Sequence, residues 1–187
     1  MGLGMQLISW PDAFCDGLVR QGFYVVRFDN RDSGLSSKLH HLGKPNTLLA
    51  LIKLAFRIPI SAGYTLDDMA ADAVGVLDAL QIKKAHIVGA SMGGMIAQIV
   101  AAKYPERTYS LTSIMSTSGR RGLPGPTKAA RKVLFAKPPD PTDQKRVIDH
   151  FVNTMKVIGS PGYPVAHEVL HDRITQTVQR SLSPVAT

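Results

Sequence analysis

Two hydrophobic periods alternate along the chain. Between Pro11 and Gln21, apolar Phe14, Leu18 and Val19 fall on one face of a helix with a proline in its first turn, and Gly22 supplies the stop. Phe23-Tyr24-Val25-Val26-Arg27-Phe28 is β-branched and aromatic and predicts a strand, which ends at the turn-forming run Asp29 to Gly34. Thr65-Leu66-Asp67-Asp68 has the spacing of a capping box. It opens a helix that carries Met69, Ala73, Val76, Leu77 and Leu80 at helical intervals. A second strand follows at Ala85 to Ala90. Met92 to Lys103 then reads as a helix with Met95, Ile96, Ile99 and Val100 on its apolar face and Pro105 at its end. Tyr109 to Met115 predicts a third strand.

Strand, helix, strand, helix, strand is the order of a parallel sheet with crossover helices, so residues 1–119 predict an α/β core. Gly119 to Pro126 is a linker of Gly, Pro and Arg, and from Thr127 onward only helical patterns remain, separated by proline-rich joints at residues 137–141 and 159–164. The expected organisation is therefore a sheet core over 1–119 and a helical appendage over 120–187. With 187 residues there is room for one such core and no second full-sized enzyme domain.

Composition narrows the class. Hydrophobic residues make up 44% and charged residues 19%, which is globular and excludes a disordered or fibrous chain. The single Cys15 excludes an internal disulfide framework. The net charge of +8 raises the question of nucleic acid, but the excess is local: Arg120 to Arg146 holds eight basic residues against Asp140 and Asp143. There is no zinc-finger spacing, no aromatic ribonucleoprotein run and no basic region leading into heptads, so the charge reads as a solvated surface and no nucleic-acid partner is expected. The N-terminal residues show no signal-peptide pattern. The apolar stretch 48–60 is broken by Lys53 and Arg57 and is shorter than a membrane crossing requires. A cytoplasmic protein without stable membrane insertion is the expectation.

The chemistry is carried by Gly89-Ala90-Ser91-Met92-Gly93-Gly94, a Gly-x-Ser-x-Gly string between a predicted strand and a predicted helix. A serine on so sharp a turn needs small residues two positions before and after it, and Gly89 and Gly93 stand there. The turn sets the hydroxyl at the carboxyl edge of the sheet. The following helix aims its free N–H groups at the same place, which suits a developing oxyanion. The plainer alternative, a glycine-rich turn with an incidental serine, does not account for this order of elements.

Together with Phe28-Asp29-Asn30-Arg31-Asp32-Ser33-Gly34-Leu35-Ser36 and Tyr64-Thr65-Leu66-Asp67-Asp68-Met69-Ala70-Ala71-Asp72, this elbow resembles the α/β-hydrolases, and among them the cap-bearing serine esterases similar to aclacinomycin methylesterase. The resemblance implies a partial, mainly parallel α/β-hydrolase sheet followed by a helical cap or lid. It implies Ser91 as nucleophile on a small-molecule carboxylic ester, esterase- or lipase-like, without metal or organic cofactor. Met1-Gly2-Leu3-Gly4 stands where the family carries His-Gly-x, so by similarity the N–H groups of Leu3 and Met92 form the oxyanion hole. Cofactor-free haloperoxidases and C–C hydrolases share the serine elbow, whereas an aspartate would mark epoxide hydrolases and dehalogenases. The Asp29 to Ser36 loop reads as a tight turn braced by Asp29 and Arg31. Met92, Met95 and Met115 are expected to line an acyl pocket beneath the cap.

In the family the triad acid and histidine follow the cap, so the resemblance is to the middle of a hydrolase. Of the histidines here, His86 reads as a packed or edge residue of a strand, His40 and His41 as loop residues, and His150 as a helix-surface residue. His167 and His171, near Glu168 and Asp172, are the candidates for a recruited base. The other reading is a hydrolase core with little catalysis that serves as a binding or oligomerising unit. Three strands would leave two open sheet edges, which favour pairing with a second copy of the chain.

Overall fold

The structure, a computed structural model, describes residues 1–42, 63–120, 122–136, 139–140 and 142–182. The apolar stretch 48–60 lies outside them. The chain divides into two compact units, Met1–Leu7 with Val26–Gly119 and Ile8–Val25 with Arg120–Thr187.

In the first unit, helix α2 (Leu66–Ala79; α1, Asp12–Arg20, belongs to the second unit) starts at the expected capping box. The Thr65 hydroxyl accepts from the Asp68 N–H, and the Asp68 carboxylate accepts from the Thr65 N–H. Its buried residues are Met69, Ala70, Val74 and Leu77, while Leu80 lies 44% exposed beyond the last turn. Strand β1 (Ala85–Ala90) leads through Ser91 into helix α3 (Met92–Lys103), and α3 leads to strand β2 (Thr108–Ile114). The two strands pair in parallel, from Ala85 opposite Thr108 to Ala90 opposite Ile114. A parallel pair needs a crossover, and α3 supplies it, packed against both strands on one face and against α2 on the other.

The core is where these helices meet: Met69, Ala70 and Val74 from α2 interlock with Ile96 and Val100 from α3, with Ile87 of β1 packed alongside. Ion pairs Lys103–Asp67 (3.0 Å) and Arg107–Asp78 (2.7 Å) sit at the two ends of α2. Arg107 also donates to the carbonyls of Ile82 and Lys83, which fixes the approach to β1.

Residues 23–28 do not form the strand expected of them. They are irregular, and among the described residues the sheet has two strands, β1 and β2. Aromatic and β-branched composition favours an extended chain, but a strand exists only where a neighbour accepts its ladder, and here Tyr24 is 81% exposed.

The second unit contains α1 (Asp12–Arg20), α4 (Lys128–Leu134), α5 (Gln144–Ile158) and α6 (His167–Leu182). Pro11 is the N-cap of α1 and lies outside its first turn, and no residue of α1 is buried. Thr127 and Asp143 cap α4 and α5 by accepting from the Ala130 and Arg146 N–H groups. Helix α5 packs against both α4 and α6 and buries Val152 and Thr154. No helix among the described residues is long and apolar enough to cross a membrane.

Candidate active site

Ser91 joins β1 to α3 with φ 55° and ψ −121°, a conformation L-residues rarely adopt. Its N–H donates to the Ile114 carbonyl of β2 at 2.9 Å, so the turn remains stitched to the sheet. Its carbonyl accepts from the N–H groups of Gly94 and Met95 and from the Ser116 hydroxyl at 2.8 Å. The backbone is thus held from both sides. Although Ser91 is the N-cap of α3, its hydroxyl makes no capping bond, unlike Thr65, Thr127 and Asp143.

The glycines are required by contact. A Cβ on Gly89 would lie 2.0 Å from the Gly93 carbonyl oxygen, and one on Gly93 would lie 2.7 Å from the Met1 carbonyl oxygen. Gly94 is equally confined, since its Cβ would meet Ser116 Cβ at 2.6 Å. Neither Gly94 nor Ser116 is required by the Gly-x-Ser-x-Gly pattern itself. A second glycine directly after the motif was the available signal for the first; nothing local signals the second, which arrives from the end of β2.

The segment before Leu7 brings Gly2 against Ser91, where a Gly2 Cβ would stand 3.5 Å from that of Ser91. The Met5 N–H donates to the Gly2 carbonyl, closing a tight turn over Leu3 and Gly4, with Gly4 at φ 67°. Met92 opens α3, and an N–H at that position has no acceptor within its own helix. Leu3 and Met92 border one cavity of about 310 Å³. Leu66 and Met69 complete its apolar lining, and Gly4, Arg31, Asp32, Ser33, Tyr64 and Thr65 make up the rest. Met95 and Met115, expected in such a pocket, are not among its lining residues, and Met115 is 69% exposed past β2. A larger depression of about 570 Å³, lined in part by Asp78, Lys83 and Glu106, lies at the opposite end of the strands, away from Ser91.

The Asp29 to Ser36 loop is braced by Asp29 as expected. This buried carboxylate accepts from the N–H groups of Leu7 (2.7 Å) and Leu35 (3.0 Å), joining the segment that carries Leu3 to the loop. Arg31 has a different task from the one expected, since its guanidinium leaves the loop and grips Asp72 of α2. It also covers the Tyr64 ring at 5.2 Å. Burial, and then a hydrogen bond with Asp32, push the Tyr64 phenol above its ordinary value, so it stays neutral at physiological pH.

Of the histidines, His86 is exposed on β1, with Nδ1 2.8 Å from the Ser110 hydroxyl and its ring against Tyr109. His150 lies edge-on to Phe151 on α5, and His167 and His171 stack edge to face one turn apart on α6. Those three belong to the second unit. No cluster of three or more metal-binding side chains occurs among the described residues.

Residues 2–159 match the family model described as alpha/beta hydrolase fold. The chain is 38% identical over 107 residues to rhodomycin D methylesterase DnrP of Streptomyces peucetius, covering 57% of this chain and 30% of that protein. It is 36% identical over 93 residues to the 2-hydroxymuconate semialdehyde hydrolase of Pseudomonas sp. strain CF600, covering 50% and 31%. Among solved structures, the meta-cleavage product hydrolase CumD of Pseudomonas fluorescens IP01 superposes with a TM-score of 0.63 at 22% identity, over 98% of this chain and 54% of that one. The chain thus spans about a third of the length of these curated relatives. With that match over residues 2–159 and a parallel strand pair joined by a crossover helix, the chain belongs to the α/β-hydrolase fold family.

Proposed function

We propose that this chain carries the nucleophile and oxyanion hole of a serine hydrolase acting on carboxylic esters. The observation that carries the reading is the strained Ser91, its hydroxyl unspent on capping, one residue from a cavity bordered by Leu3 and Met92. The methylesterase relatives favour an ester as the substrate class. In this reading Ser91 Oγ attacks the ester carbonyl carbon as its proton passes to a general base. The Leu3 and Met92 N–H groups hold the oxyanion. Collapse of the tetrahedral intermediate expels the alcohol, which takes up a proton, and water then releases the acid from Ser91. In the same reading residues 120–187 are the counterpart of the family's helical cap, and the base is assigned by the pH profile.

A serine-directed phosphonate and a short activated ester test the proposal. One label at Ser91, burst kinetics, and loss of both in Ser91→Ala are expected; labelling elsewhere, or full turnover by Ser91→Ala, overturns it. A rate that rises through the histidine range and disappears in His167→Ala or His171→Ala assigns the base, whereas a rate that follows hydroxide leaves the serine unassisted.

The second reading, a binding or oligomerising unit, is favoured by β2, where Tyr109, Leu111 and Ile114 are 64%, 40% and 39% exposed. It predicts self-association without a burst.

A further inference from the structure

The cavity beside Met92 has one wall whose position is enforced from outside the elbow. Tyr64 carries the Arg31 guanidinium over its ring at 5.2 Å, and its phenol is hydrogen-bonded with Asp32 of the same loop. Arg31 is itself anchored, with Nε and Nη2 on the two Asp72 oxygens at 2.6 and 2.7 Å and a further bond from Nη2 to the Asp68 carbonyl. These bonds all come from the Nε–Nη2 edge, which holds the guanidinium against α2 with the Tyr64 ring beneath it and restricts where that ring can sit. The remaining apolar wall, Leu66 and Met69, belongs to the first turn of α2, which the capping box holds. At about 310 Å³ the cavity lies at the small end of ligand sites.

We infer that this cavity takes one arm of the ester and that the Tyr64 ring sets the length of that arm. The inference rests on the serine-esterase reading for the word ester, but the cavity and its fixed wall stand apart from catalysis. Short apolar arms fit against Leu66, Met69 and Met92, while longer ones meet the ring. Tyr64 is thus a specificity-determining residue, and Arg31 and Asp72 position it.

Binding to the Ser91→Ala chain, which cannot turn substrate over, tests this through the methyl NMR signals of Met69 and Met92. Two series serve: methyl esters of lengthening acids and acetates of lengthening alcohols. In one series the short members should shift both signals saturably and leave those of Met115 and Met155 in place. Affinity should rise about fourfold per added methylene up to a cut-off and fall beyond it. Tyr64→Ala should move the cut-off to longer chains and Tyr64→Trp to shorter ones. Immobile Met69 and Met92 signals in both series, or a cut-off unmoved by either variant, would overturn the inference. Intact methyl shifts with no phosphonate label on the unmutated chain would instead reject the serine-esterase reading and leave the cavity assignment standing.

Discussion

Arg31 and Asp72, 41 residues apart, meet through two parallel hydrogen bonds of 2.6 and 2.7 Å, which lock the loop after Asp29 onto helix α2. Lysine offers a point charge in place of a fork, so Arg31→Lys keeps the attraction and loses the geometry. With Asp72 39% exposed, solvent screens the pair, and the expected loss is about 1 kcal/mol by urea denaturation. Asp72→Asn should cost a similar amount, and the double variant little more than either single one.

Two glycine-to-alanine changes should move stability in opposite directions. At Gly89 the new methyl meets backbone at 2.0 Å, and Gly89→Ala should destabilise by at least about 3 kcal/mol or prevent folding. Gly75 is exposed within α2 with nothing near its Cβ position, so Gly75→Ala should stabilise by about 0.8 kcal/mol. Thermal unfolding of both variants reads the contrast.

Ser91 itself stores strain. At φ 55° and ψ −121°, the mirror image of an extended conformation, glycine is at ease and alanine is not. Ser91→Gly should therefore gain about 1–2 kcal/mol in denaturant unfolding, while Ser91→Ala gains nothing. Both should lose the phosphonate label. Equal stability of the two variants would show that the turn is unstrained.

The capping box gives α2 an acid-sensitive start. Hydrogen bonds from the Thr65 hydroxyl and N–H hold the Asp68 carboxyl below its ordinary value of 3.8, so the folded state favours the carboxylate. This contribution is fully present above that value and is lost as the pH falls through the lower, folded-state value. Thr65→Ala should cost about 1 kcal/mol at neutral pH. Its stability should also fall less steeply in acid than that of the unmutated chain, as followed by circular dichroism.

Much of this was written locally. The capping box, strand β1 and helix α3 follow from neighbours within a few residues: Thr65 with Asp68, the β-branched pair Ile87-Val88 in a short run before the glycine turn, and apolar residues at helical spacing before Pro105. So does the first half of the elbow, because a Cβ on Gly89 would meet the Gly93 carbonyl only four residues on. Tertiary structure decided what depends on distant chain. Residues 23–28 had strand composition and no ladder beside them. The confinement of Gly93 and Gly94 comes from Met1 and Ser116, and the carbonyl of Ser91 is held from the end of β2. The cavity wall is set by Arg31 reaching across to Asp72, a partner that no spacing announces. Short-range propensity and sterics are properties of the sequence itself, whereas ladder pairing, long ion pairs and cavity walls exist only once remote segments have been brought together and the entropy of closing the loops between them has been overcome.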